Sequence, residues 1–507
     1  MGIKLFLLII FFAVMVGVGF YSRRHVKSVD GFVLGGRSVG PWLTAFAYGT
    51  SYFSAVVFVG YAGQFGWKYG IASTWIGIGN ALIGSLLAWV VLGRRTKVMT
   101  QHLRAKTMPD FFGQRYGSKA LKIVASVIVF VFLIPYTASV YNGLSRLFGM
   151  AFNIPYTWCV IAMAVFTAIY VILGGYMATA INDFIQGIIM LFGIVAVIAS
   201  VLNGQGGFME AVSKMAQIPS DVPATMGQPG AFTSFFGPDP LNLLGVVILT
   251  SLGTWGLPQM IGKFYAIKDE KSINTGTVIS TLFAIVISGG CYFLGGFGRL
   301  FDSAEIYNAE TGAVVYDSII PSMLSKLPDI LIGIVVVLVL SASMSTLSSL
   351  VLTSSSTMTL DLLKDNIMKE MSEKKQIITM QILIVFFIVV SVVIALDPPT
   401  FIAQLMGISW GALAGAFLAP FLYGLYWKGV TRAGVWAGFI AGVGITVSNM
   451  FIGYIASPIN AGAAAMVAGL VIVPLVSLVT PKLNKEDVDE IFTCYEEKVV
   501  STKKRNL

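Results

Sequence analysis

Hydrophobic residues run along this chain in long blocks, with the polar residues gathered between them. The blocks lie at about 3–21, 40–66, 71–93, 120–150, 156–175, 180–201, 239–258, 272–297, 328–362, 376–396, 399–427, 431–455 and 461–480. About 20 apolar residues in a helix cross the hydrocarbon core of a bilayer. The pattern therefore predicts an all-α polytopic membrane protein with about 13 transmembrane helices. Two blocks are interrupted from within. The second carries Gly49-Thr50-Ser51-Tyr52-Phe53-Ser54 at mid-membrane depth, and the seventh carries Thr250-Ser251-Leu252-Gly253-Thr254-Trp255-Gly256-Leu257-Pro258-Gln259. Polar, irregular backbone is tolerated at that depth only where it is buried in protein or lines a cavity. Taken singly, either block also reads as a helix packing closely through small residues. The pairing favours a site: Gly49-Thr50 and Gly253-Thr254 lie five blocks apart. Interruptions at equivalent places in two halves point to an inverted-repeat secondary transporter. The repeats would be blocks two to six and seven to eleven, about 40–201 and 239–427. Five is an odd number, so the second repeat is inverted in the membrane.

Charge fixes the orientation. Only 11% of residues are charged, against about 25% in soluble domains. The net charge of +9 lies mostly in alternate loops, so no nucleic-acid partner is implied. One set of loops holds Arg23, Arg24, Lys27 and Arg37, then Arg94, Arg95, Lys97, Arg104 and Lys106, then Lys263, Lys268 and Lys271. It continues with Lys364, Lys369, Lys374 and Lys375, then Lys428 and Arg432, and ends with the tail residues Lys498, Lys503, Lys504 and Arg505. The long loop at 202–238 on the other side has only Lys214. The positive-inside rule puts the N-terminus outside and the C-terminus in the cytoplasm, with the protein multi-pass in the plasma (inner) membrane. The first block resembles a signal peptide but lacks a strong basic start and an Ala-x-Ala-like exit, so it is expected to stay as a span. Residues 1–480 form the transmembrane domain, and 481–507 a short cytoplasmic tail too small for a catalytic or sensor domain. The loops at 202–238 and 298–327 are expected outside, as ordinary solvated loops first and as a cover over the outer mouth second. Cys159, Cys291 and Cys494 show no zinc-site spacing and no disulfide is expected.

Candidate chemistry sits at the middle of the ninth block. Ala342, Ser345 and Thr346 lie at i, i+3 and i+4 and share one helical face. Two hydroxyls there, with carbonyls freed by a broken helix, could ligate a small hard cation without a buried carboxylate. Ser and Thr also serve as small packing residues between helices. Asp183 is the clearest intramembrane acid, expected near the cytoplasmic end of its span, where it would hand a cation to the exit or anchor the helix. His25 and His102 fall in loops, away from any proton relay.

Three motifs resemble the sodium:solute symporter family. They are Leu34-Gly35-Gly36-Arg37, the Gly-Gly-Tyr-x-Ala-x-x-x-x-Asp-x-x-Gln run from Gly174 to Gln186, and Met344-Ser345-Thr346-Leu347-Ser348. They come in family order between about residues 28 and 430. The resemblance implies a leucine-transporter-like 5+5 inverted repeat with broken helices and three additional spans. It also implies one sodium ion held by the carbonyls of Thr50, Phe53 and Ala342 and the hydroxyls of Ser345 and Thr346, with Asp183 at the cation exit. Among sodium/proline symporters Tyr136 matches a pocket tyrosine, but their Asp and Trp in the broken helix are Tyr52 and Val56 here. Thr250 and Thr254 stand where they carry aromatics. Tyr52-Phe53-Ser54-Ala55 and Gly256-Leu257-Pro258 look more like the sodium/pantothenate symporters.

The resulting expectation is a sodium-coupled symporter, not an enzyme, importing a small organic solute. The substrate class both relatives share is an amino acid (proline-like) or an organic carboxylate such as pantothenate. Substrate contacts are expected from Tyr52, Ser54, Tyr136, Thr254 and Trp255. No Arg or Lys is evident deep in spans two or seven. Backbone amides at the helix restarts would then face a carboxylate. Sodium is the coupling ion; no cofactor and no obligate protein partner is expected beyond substrate, sodium and bilayer. Proton coupling, a transporter-like sensor and a neutral, sugar-like solute are the competing readings; a passive channel fits the interrupted helices poorly.

Overall fold

The computed structural model describes residues 2–23 and 27–496. Arg24, His25 and the tail bases Lys498, Lys503, Lys504 and Arg505 lie outside the described residues. Among the described residues, eleven helices are long and apolar enough to cross a membrane. Two of them cannot be single spans. Tyr156–Gly204 has 49 residues, which at 1.5 Å each would reach about 73 Å, more than twice a bilayer core. Its one non-helical residue is Gly175, at φ 54° and ψ −146°. Tyr170 before it donates to the Met344 carbonyl at 2.5 Å, and Asp183 after it faces Ser345. Positions thirteen residues apart thus reach the same level of span nine, so the chain folds back at Gly175. A Cβ there would lie 2.7 Å from Phe32, and the positive φ alone favours glycine. The helix Val56–His102 turns in the same way at Gly70, φ 61°. With these two turns the chain makes about thirteen passes, as its hydrophobic blocks predict.

Span one is Gly2–Ser22. Span two joins Pro41–Tyr52 to 56–69 across a break. Span three runs over 74–102 and span four is Lys119–Phe152. Spans five and six are the two arms of Tyr156–Gly204. Span seven is Pro240–Gly253 plus Pro258–Ala266. Then come Glu270–Gly295, Asp329–Ile367, Glu373–Leu396, Ile402–Tyr426, Arg432–Ile452 and Pro458–Val479 as spans eight to thirteen. Span seven runs eight residues past its hydrophobic block, which corrects the reading of Lys263 as a loop residue. The block stopped at Pro258, five residues before Lys263; the helix runs on past that lysine, which is buried against an acid.

Spans nine and eleven are buried along most of their length, whereas spans one and ten leave most of theirs exposed. Exposed apolar residues such as Phe6, Phe192 and Val393 suit a lipid solvent. The centre of the bundle is therefore span nine, with both broken spans near it.

The breaks fall later than the Gly-Thr pairs. Span two stays helical to Tyr52; Phe53 is extended, at φ −104° and ψ 121°. Span seven stays helical to Gly253; Leu257 is extended, at φ −87° and ψ 121°. In each case the extended residue follows the glycine by four. The glycines serve close approach. A Cβ on Gly49 would lie 2.5 Å from the Phe283 ring, and one on Gly253 2.5 Å from Trp410.

On the face that carries the basic loops, the two broken helices are stitched by backbone. The Val39 amide donates to the Ala266 carbonyl at 3.2 Å, and the Lys268 amide to the Val39 carbonyl at 3.1 Å. Arg37 and Lys97 both donate to the Tyr265 carbonyl, at 3.4 and 3.3 Å. Positive charge at a helix C-terminus is favourable.

Candidate functional site

The extended residue Phe53 interrupts the helical ladder and frees carbonyl oxygens in the middle of the protein. The Thr346 hydroxyl of span nine sits among them. Its Oγ1 lies 3.3 Å from the Thr50 carbonyl, 3.4 Å from that of Ser51, 3.4 Å from that of Phe53 and 3.1 Å from that of Ala342. A hydroxyl has one hydrogen to donate, so it can satisfy one of these four acceptors. Four buried carbonyl dipoles therefore converge with their negative ends on one hydroxyl, the kind of oxygen set a small hard cation prefers. Four of the five residues expected to hold sodium thus meet here: Thr50, Phe53, Ala342 and Thr346. The fifth, Ser345, is buried next to them. Its hydroxyl has no hydrogen-bond partner and faces the Asp183 carboxylate. Ser51 was not expected in this ring; its place between Thr50 and Phe53 was the available signal.

The expected substrate residues divide into two groups. Tyr52 stacks on Trp410 at 5.6 Å, and Tyr136 meets the same indole edge-on at 5.9 Å. The Tyr52 hydroxyl is already used, donating to the Thr250 carbonyl at 2.6 Å. The Tyr136 hydroxyl and the Trp410 Nε1 are buried and face each other, and neither has another hydrogen-bond partner among the described residues. Ser54 caps the second half of span two, its Oγ accepting from the Val56 amide at 3.1 Å. Thr254 and Trp255 turn to span three. Thr254 Oγ1 donates to the Gly84 carbonyl and Trp255 Nε1 to that of Ile83, both at 3.0 Å. Trp410 was missed because it lies in the uninterrupted apolar run of span eleven, where nothing in the sequence marks it.

The helix restarts offer fewer amides than expected. The Ala55 amide donates to Ser343 Oγ at 3.1 Å, and the Val57 and Phe58 amides donate to the Ser54 carbonyl. Span seven restarts on Pro258, which has no N–H.

Asp183 is deeper than its expected place at a wetted helix end. Its side chain is fully buried, and Lys263 lies across from it, Nζ to Oδ2 3.9 Å. This corrects the expectation that spans two and seven hold no deep basic residue. Below this pair a narrow passage of about 50 Å³ runs toward the basic face, past Gln259, Ser349, Thr353 and Thr357 to Lys106 and Thr107. On the opposite face, a vestibule of about 640 Å³ opens among Trp67, Lys68, Tyr69, Asp239, Arg299 and Tyr316.

Two interrupted helices packed beside span nine, in a chain of about thirteen passes, define a fold of the inverted-repeat, leucine-transporter-like class. The chain belongs to the sodium:solute symporter family, whose profile matches residues 32–442. It is 30% identical to sodium/proline symporters of Staphylococcus aureus strains JH9 and COL, over 496 residues, 94% of this chain and 92% of theirs. Its fold is similar to that of a Na+-coupled sialic acid symporter in a substrate-bound outward-open state. The TM-score is 0.75 at 15% identity, covering 95% of this chain and 99% of that one. It is similar also to Mhp1, a nucleobase-cation-symport-1 family transporter in a closed conformation, with TM-score 0.55, 13% identity, and 91% and 98% covered. At these identities the two structures establish the fold. The chain is a multi-pass, sodium-coupled solute symporter.

Proposed function

We propose that the protein imports a small amino acid or organic carboxylate across the plasma membrane, driven by a sodium ion bound at Thr346. The ring of four carbonyls within 3.4 Å of that hydroxyl carries the reading. The ion is held by the carbonyls of Thr50, Phe53 and Ala342 and the hydroxyls of Ser345 and Thr346, with the Ser51 carbonyl close by. It cancels the repulsion among the carbonyl dipoles and so fixes the Thr50–Phe53 segment against span nine. Tyr52 belongs to that segment, and its ring forms one wall beside Trp410 and Tyr136. Ordering by the ion therefore completes the solute pocket, and the two ligands favour each other's binding. Ser54 holds the bend beneath the solute, while Thr254 and Trp255 form the opposite wall from span seven.

A carboxylate in this pocket is read by neutral donors, the Tyr136 hydroxyl and the Trp410 N–H, since the nearest ammonium is engaged with Asp183. Proline is the first candidate because the 30% identical relatives are sodium/proline symporters. Pantothenate follows from the Gly256-Leu257-Pro258 segment. The basic face is cytoplasmic, with the N-terminus outside and the C-terminus inside. The vestibule beside Trp67 is the entrance, and the narrow passage below Asp183 is the exit for ion and solute.

The test is uptake of a panel of labelled amino acids and organic acids into proteoliposomes. Inward sodium or potassium gradients are imposed at fixed pH, with and without a proton gradient. Uptake driven by sodium alone is the expected result. Uptake driven by the proton gradient in potassium would replace sodium as the coupling ion. Equal competition by matched acids and amides would replace the carboxylate with a neutral solute.

A further inference from the structure

Lys263 lies in the inner half of a broken helix that the transport cycle has to move. Its side chain is 3% exposed, and its partners come from other spans. The ammonium donates to Ser349 Oγ of span nine at 3.0 Å. It lies 3.9 Å from Asp183 Oδ2 of span six and 5.2 Å from the centre of the Tyr176 ring. Ser349 Oγ is also 2.8 Å from Ser51 Oγ of span two. Because Ser349 accepts from the lysine, its own hydrogen is free to go to Ser51. The Ser51 carbonyl, in turn, is one of the four around Thr346. A directed chain of hydrogen bonds thus runs from Lys263 through Ser349 to the residue whose backbone borders the ion site.

The moving parts are already joined. Residues 41–52 and 258–266 are the inner halves of the two broken helices, and the backbone pairing of Val39 with Ile267 ties them at the membrane surface. Lys263 and Ser51 are the side chains by which this joined pair grips Ser349. The narrow passage of about 50 Å³ runs along the same seam, lined by Lys263, Ser349 and Thr353.

We propose that Lys263 is a positioning residue, the latch that closes the joined inner halves of spans two and seven against spans six and nine. Its bond to Ser349 lets the state of the Thr50–Phe53 segment bear on whether the exit is shut. The latch is electrostatic and needs no second cation, because the ammonium itself neutralises the buried carboxylate. The link to ion occupancy rests on the sodium-site reading above; the closure itself rests only on the orientation proposed there. An isolated buried charge is costly, so opening the exit has to bring water to both Lys263 and Asp183, as entry of the cytoplasm into the passage would.

The test places a cysteine at Thr353 in a full-length chain whose Cys159, Cys291 and Cys494 are replaced by serine. Inside-out vesicles are treated with a membrane-impermeant maleimide, in sodium and in potassium. Lys263→Met is expected to label roughly tenfold faster than the parent in both media, an opening equilibrium shifted by about 1.4 kcal/mol. Lys263→Arg, which keeps the charge and the donors, is expected to label near the parent rate; a side chain that merely fills space would not discriminate between Met and Arg. Labelling of Lys263→Met at the parent rate in both media overturns the latch. If that variant does not accumulate, Ser349→Ala removes the bridging hydroxyl while leaving the ion pair. It is expected to speed labelling in the same direction, and an unchanged rate overturns the proposal. The sodium-site reading is judged separately, by whether sodium changes the parent rate and Thr346→Ala abolishes that change.

Discussion

The two broken helices start from the same local cue and end in different chemistry. In each, a Gly-Thr pair leads four residues on to an extended residue with ψ 121°. After Gly49, the freed carbonyls of Thr50, Ser51 and Phe53 point at a hydroxyl of span nine. After Gly253, Thr254 and Trp255 donate to carbonyls of span three. One break gathers acceptors around a hydroxyl, and the other gives its donors to a neighbouring helix. The first is suited to a cation; the second braces the wall and carries a buried lysine onto Asp183. A helix break supplies loose polar groups, and the helix packed beside it decides what they bind.

The largest effect on sodium affinity should come from the first break. Thr346→Ala removes the one hydroxyl among the four carbonyls. A hydrogen bond or ligand to a charged group is worth about 1.5–3 kcal/mol, so half-saturating sodium should rise roughly 10- to 150-fold. The serine–threonine pair replaced together should rise further. Normal sodium dependence of uptake in the Ser345→Ala, Thr346→Ala double variant would remove this face of span nine from the mechanism.

Asp183→Asn tests the second break through its partner. The substitution leaves Lys263 as an unpaired buried charge, a situation that costs about 3–5 kcal/mol. Turnover should fall more than outside sodium affinity does, because Asp183 lies beside the passage that runs to the basic face. Rates at matched expression decide it. A normal turnover number would make Asp183 a helix anchor only.

Gly49→Ala and Gly253→Ala sharpen the claim that the glycines serve approach rather than hinging. Each new Cβ would fall 2.5 Å from a ring, Phe283 or Trp410. Overpacking of this kind costs about 1–3 kcal/mol. Both variants should melt earlier in detergent, by similar amounts. Unaltered melting with altered transport would instead make the glycines hinges.

The smallest effect is expected at Trp255→Phe, which removes the donor to Ile83 and keeps most of the ring. A hydrogen bond of this kind contributes about 0.5–1.5 kcal/mol. Stability should drop slightly and sodium affinity should hold. Trp255→Ala should change which solute side chains compete for uptake, because it removes the wall itself. An unchanged competition profile for the alanine variant would take Trp255 out of the pocket.

Much of this molecule could be read from the chain. Hydrophobic blocks of span length fixed about thirteen passes, since backbone polar groups in lipid must be satisfied within helices. The Gly-Thr interruptions located both breaks to within four residues. Ala342 and Thr346, at i and i+4, were bound to share a face whatever packed against it. What the sequence could not give was the partner of each loose group. Lys263 reads as a loop residue because it falls just beyond a hydrophobic block; only the fold sets Asp183 opposite it and lets span seven run on to Ala266. Trp410 is one apolar residue among many until Tyr52 and Tyr136 are placed around it. Local periodicity and membrane thickness act on neighbours along the chain and leave their mark in the sequence. Whether a freed carbonyl meets a hydroxyl, an ammonium or another helix depends on residues hundreds of positions away, and those encounters were settled only when the helices packed.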